Sequence, residues 1–113
     1  MDERNPMAEA EAQWRAVILE QPEHLPAWLG LGELYLAQAK WPELEDIVER
    51  MNEDNTSGHG LHGRHGYQEE SQVLRARGML ARREYEPAKN VLREVITKNP
   101  VWVYPRVILS HVL

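Results

Sequence analysis

Cysteine is absent from all 113 residues. That excludes a disulfide framework, a thiolate metal site and a cysteine nucleophile. Long apolar runs are absent as well. The charged and polar opening, Met1 to Pro6, leads into no apolar core of a secretory signal, and no segment reaches the ~20 apolar residues of a bilayer span. The expected setting is cytoplasmic, with no membrane partner, so Asn55-Thr56-Ser57 reads as a chance match to a glycosylation acceptor. Catalytic motifs are missing too. There is no phosphate-binding glycine loop, no H-E-x-x-H helix and no G-x-S-x-G elbow. The carboxylate pairs Glu43/Glu45 and Glu69/Glu70 fall on polar helix faces, where they read as solvating charges. Neither an enzymatic activity nor a cofactor is expected.

Positive charge is scarce in the first half. Met1 to Thr56 carries 13 acidic and 4 basic residues, a balance of −9, whereas Ser57 to Leu113 carries 5 and 9, a balance of +4; the whole chain is at −5. The total argues against nucleic acid as a partner, which would call for a basic surface. The asymmetry suggests end-to-end electrostatic complementarity, or solvated faces that differ in charge.

What is present is helical pattern. At this length the chain fits a single domain with a modest core. Ala8 to Glu20 is rich in good helix formers and sets Ala10, Trp14, Val17 and Ile18 on one face. Pro22 stops it. Leu25 to Ala39 repeats the pattern with Trp28, Leu31, Leu34, Tyr35 and Leu36, and Pro42 opens a third helix running to about Met51. Asn52 to Gly66 breaks the pattern with Gly58, Gly60, Gly63 and Gly66, and is expected to be a mobile loop. Helix resumes from Tyr67 to about Arg83 and from Tyr85 to Lys98, before Pro100 and a strongly apolar last segment, Trp102 to Leu113.

The spacing within the second helix is specific. Trp28, Leu31-Gly32 and Tyr35 match W-x2-L-G-x2-Y, and Ala10-x3-Trp14…Pro22 and Ala88-x3-Leu92…Pro100 match A-x3-F…P with Trp or Leu at the aromatic position. The chain thus resembles the tetratricopeptide repeat family over roughly Ala8 to Leu113. Pro22 and Pro100 are 78 residues apart, two 34-residue periods plus ten, and the Gly/His stretch lies where the extra ten are needed. Departures are clear elsewhere: the central repeat has Leu44, Val48 and Thr56 at the A-F-P positions. Gln72, Arg75, Ala76 and Met79, and then Arg106, Leu109, Ser110 and Leu113, stand at later W-L-G-Y positions.

The resemblance implies an all-α fold of antiparallel helix hairpins, about six helices stacked as an α-solenoid. Its divisions would be a partial repeat 8–22, a repeat 25–56, a loop or insertion 52–66, a repeat 69–100 and a partial repeat 102–113. Starting and ending in mid-repeat, the chain is expected to be a fragment of a longer protein or to pair its ends with another copy. Gly32 reads as a packing glycine, costing about 1 kcal/mol against alanine in mid-helix, with Leu44 of the next helix filling the space beside it.

In function, the resemblance implies a protein-interaction scaffold that binds a protein or peptide segment in its groove. The family's groove positions place Leu29, Glu33 and Leu36 in the central repeat, Val73, Arg77 and Leu80 in the next, and Tyr104, Val107 and His111 in the last. Glu33, Arg77 and His111 would form one row, with Glu33 and Arg77 close together. Leu36 and Leu80 fit ordinary inter-repeat core at least as well as a binding surface. The lysine/asparagine/arginine clamp by which some members grip a peptide carboxylate is missing, since Leu29, Gly30, Glu33 and Leu74 hold those places. A second reading makes the chain an accessory module of a bacterial glycosyltransferase or methyltransferase, whose repeat tails its first and last helices resemble. His59, His62 and His65 could bind zinc, nickel or copper, or be part of a flexible polar loop; no metal is expected as a resident cofactor. The apolar final helix is expected to promote self-association.

Overall fold

The computed structural model describes the backbone of residues 5–57 and 68–113, with side chains for 5–52 and 68–113. Among the described residues the chain is all-α: α1 (Pro6–Glu20), α2 (Leu25–Ala37), α3 (Trp41–Ser57), α4 (Gln68–Ala81), α5 (Tyr85–Lys98) and α6 (Tyr104–Val112). Each helix packs against the next and α2 also packs on α4, an arrangement consistent with helical repeats. No helix among the described residues is long and apolar enough to cross a membrane.

One helix end lies more than two residues from expectation. The loop placed from Asn52 to Gly66 is helical through Ser57, so α3 runs six residues beyond Met51. Residues 52–57 contain no glycine; the residues that penalise helix begin at Gly58. The rest of that loop, with His59, His62 and His65, lies outside the described residues. Among the described residues no group of three metal-ligating side chains occurs.

The repeat is visible in backbone hydrogen bonds. After α2, the Ala39 N–H donates to Leu36 O and the Lys40 N–H to Tyr35 O. After α4, Arg83 and Glu84 donate in the same way to Leu80 O and Met79 O. Both are Schellman turns, which satisfy carbonyls left over at a helix end. Ala39 and Arg83 are left-handed, with φ of 56° and 66°, a conformation that costs a side-chain-bearing residue about 1–2 kcal/mol. Ala39→Gly and Arg83→Gly should therefore each stabilise the chain by about 0.5–1 kcal/mol after the added unfolded-state entropy. An unchanged or lowered urea midpoint would contradict this. The turns after α1 and α5 match as well. Gln21 and Asn99, 78 residues apart, have φ/ψ of −133°/80° and −138°/76°.

Two clusters make the core. Trp28, Leu31, Tyr35, Leu44, Ile47, Val48, Met51 and Leu74 join α2, α3 and α4, and Ala76, Met79, Ala88 and Leu92 join α4 to α5 with Ile108 and Leu109 of α6 against them. The Trp28 indole donates to Pro22 O at 2.8 Å, fixing the turn that enters α2. Gly32 is a packing glycine, and the side chain nearest it is Leu74, not Leu44. A Cβ there would lie 2.5 Å from Leu74 Cδ2, while Leu44 reaches across to Gly78, whose Cβ would lie 2.8 Å from Leu44 Cδ2. The glycine is needed where α4 meets α2, between hairpins and not within one. Gly30 has a similar part toward α1: its Cβ would fall 2.4 Å from the Trp14 indole.

Helix α1 has no fully buried residue and is held partly by a polar network. The Tyr35 hydroxyl donates to Glu11 Oε2 at 2.7 Å and accepts from Arg15 Nη2 at 2.6 Å. That hydrogen bond from Tyr35, helped by Arg15, holds the Glu11 carboxyl below the usual carboxylate range despite partial desolvation. Because the folded-state pKa is the lower one, this contribution is complete above the unfolded value near 4.5 and is lost as pH falls through the folded value. Tyr35→Phe should cost about 1–2 kcal/mol at pH 7 and less at pH 3. Urea melts at the two pH values measure the difference; an equal or larger loss at pH 3 would refute the role given to Glu11.

Candidate functional site

Helices α2, α4 and α6 each open a hairpin or half-hairpin and share one face. On it Arg77 of α4 extends both guanidinium nitrogens to Glu33 of α2, Nη1 to Oε2 and Nη2 to Oε1, the latter at 3.0 Å. The two residues occupy the same place in successive hairpins, 44 residues apart. Bidentate pairing matches the planar fork to the carboxylate, and Glu33 is the leading cause that raises the Arg77 pKa above its already high value. With the Glu33 side chain 53% exposed, water screens the pair, and its worth in stability is about 1 kcal/mol or less. Its effect is mainly positional: it bridges the face and divides it.

On one side of the bridge is a pocket of about 160 Å³ between α2, α4 and the start of α6. Its lining is apolar at Leu29, Val73 and Leu74, aromatic at Trp102 and Tyr104, and charged at Glu33, Glu70 and Arg77. The two rings are tilted at 45° with centroids 6.2 Å apart. On the other side a shallow hollow of about 630 Å³ is lined by Arg77, Leu80, Tyr85, Ile108, His111 and Val112. A third depression, about 310 Å³, lies over Leu36, Ala37 and Ala81, again beside Glu33 and Arg77. Arg77 borders all three.

The nine residues expected in the groove therefore divide. Glu33 and Arg77 meet, and His111 shares a hollow with Arg77. Leu29, Leu36 and Leu80 are half-buried; each packs on a core cluster and also lines the face. Val73 is buried at 3% exposure and is chiefly core. Tyr104 and Val107 are 43% and 45% exposed. Two aromatic residues that the sequence reading did not include join them. Tyr85 belongs to a second helix, and the family's groove positions come from first helices. Trp102 precedes α6 in the turn after Pro100; its nearness to Tyr104 two residues later was the available signal.

Fold and site together define a class: an all-α chain of stacked helix hairpins with a charged bridge across an apolar and aromatic face. None of the family models, curated proteins or solved structures with which the chain was compared matches it.

Proposed function

We propose that the chain is a tetratricopeptide-type interaction module that binds a protein or peptide segment across the face of α2, α4 and α6. The observation that carries this reading is the Glu33–Arg77 bridge, with half-buried Leu29 and exposed Tyr104 in the pocket beside it. Apolar area on that face would supply affinity, and the charged row would fix register and choice of partner. Catalysis has no part in this reading.

Selection from a random peptide library, followed by backbone NMR mapping, tests it. Shifts should concentrate on Leu29, Glu33, Arg77, Tyr104 and Val107, and Arg77→Glu should weaken the selected peptides about tenfold or more by placing two carboxylates together. Shifts confined to α3 and α5, or no binders from a deep library, would sink the proposal. The exposed side of α6 could also join two copies. Sedimentation at high concentration would show this as a dimer that Val107→Glu dissociates.

A further inference from the structure

We propose that α6 of one copy packs on α1 of a second copy, joining chains head to tail. Arg106, Ser110 and Leu113 would lie on one side of the seam, and Ala10, Val17 and Glu20 on the other.

The chain supplies its own template. Helices α4 and α5 close on each other through buried Ala76, Met79, Ala88 and Leu92, and Val95 of α5 is 3% exposed. Helix α1 stands in the place of α5, 78 residues earlier, so Ala10, Trp14 and Val17 are the counterparts of Ala88, Leu92 and Val95. The turns that follow the two helices have matching dihedral angles. The three α1 residues are only half-buried, although their counterparts are covered. Helix α6 stands in the place of α4, 34 residues later, which puts Ser110 and Leu113 at the positions of Ala76 and Met79. Both are exposed. Among the described residues no helix covers either face, and a helical repeat buries its apolar side only against a neighbour. A second copy carries the matching helix for each.

Charge selects this pairing over like with like. Where α4 meets α5, Gln72 lines a hollow together with Glu94 and Lys98. Their counterparts are Arg106, Ala16 and Glu20, so the same approach between copies brings a guanidinium to a carboxylate. Both side chains are exposed, and neither makes an ion pair or hydrogen bond among the described residues. At longer range residues 1–56 carry −9 and residues 57–113 carry +4, so unlike ends attract and like ends repel. The contact is heterologous and propagates from copy to copy unless it closes into a ring. A seam of one helix pair is small beside the roughly 1,200 Å² at which stable interfaces begin. Association should therefore be weak, dependent on concentration and reduced by salt.

Sedimentation equilibrium of the full chain tests this. The average mass should rise with concentration above that of one chain. Arg106→Glu and Glu20→Arg, both at exposed positions, should each weaken association about tenfold by opposing like charges. Mixed in equal amounts, the two variants should associate about as strongly as the unaltered chain, because intact ends then meet intact ends and reversed ends meet reversed ends. Ala10→Gln lengthens a side chain in the seam without adding charge, and should weaken association about tenfold through overpacking. Three results would overturn the proposal: the mass of one chain at every concentration, a mixture no more associated than its parts, or a Glu20→Arg variant as associated as the unaltered chain. The last would identify an α6-to-α6 contact. None of these residues lines the groove, so each such failure leaves the peptide-binding reading standing.

Discussion

Gly32→Ala is expected to destabilise the chain by about 2 kcal/mol, although alanine is the better helix former by about 1 kcal/mol. The added methyl would lie 2.5 Å from Leu74 Cδ2, 3.1 Å from Cδ1 and 3.3 Å from Cγ. A single terminal methyl could rotate aside, but here the whole branched end is in the way. Leu74 is 2% exposed and belongs to the cluster with Trp28, Leu31 and Tyr35, so it has little room to move. Overpacking at such a site costs up to about 3 kcal/mol, from which the helix gain is subtracted. Each kcal/mol lowers Tm by roughly 4–8 °C in a domain of this order. Leu74→Ala should cost about 2–5 kcal/mol alone. In that background Gly32→Ala should become neutral or stabilising, because its methyl then enters vacated space. A Gly32→Ala protein with a raised Tm would show that α4 does not press on α2 at this point.

That pair also marks where sequence reading stopped. Periodicity and proline spacing were sufficient for the helices, because each depends on short-range chemistry: Pro22 and Pro100 end helices for the same reason and produce turns of the same dihedral angles. The repeat register was sufficient for Glu33 and Arg77, since equivalent positions on stacked helices lie side by side. It did not reach the partner of Gly32. Leu44 was the natural choice within one hairpin, but the contact is made by Leu74 of the next one, and the choice depends on how far successive hairpins are staggered. Gly30 is a related case: nothing local to α2 announces that the Trp14 indole of α1 lies over it. The pocket at Trp102 and Tyr104 needs three helices to exist, so it has no signature in any one segment. The length of α3 departs from expectation for another reason. The helix-penalising glycines begin at Gly58, and residues 52–57, which lack glycine, remain helical.

The second large effect concerns the reciprocal contact. Leu44 is 1% exposed and lies over Gly78 of α4. Leu44→Ala should cost about 3 kcal/mol, the transfer energy of the lost carbons plus the cavity left behind. Gly78→Ala in the unaltered chain places a methyl 2.8 Å from Leu44 Cδ2, and among the described residues no other side chain beyond its immediate chain neighbours comes within 4 Å. One methyl end is easier to shift than the branched end above Gly32, so strain and the helix gain of about 1 kcal/mol should nearly cancel. In the Leu44→Ala background the strain is absent while the helix gain remains, and the new methyl refills part of the cavity. There Gly78→Ala should restore about 1–2 kcal/mol. The sign of the test therefore lies in the coupling: the double variant should be more stable than the two single changes sum to, by about 1 kcal/mol or more. Urea unfolding of the four proteins closes the cycle. Strict additivity would mean that Leu44 and Gly78 do not share this space, and that α3 and α4 are held by the surrounding core alone.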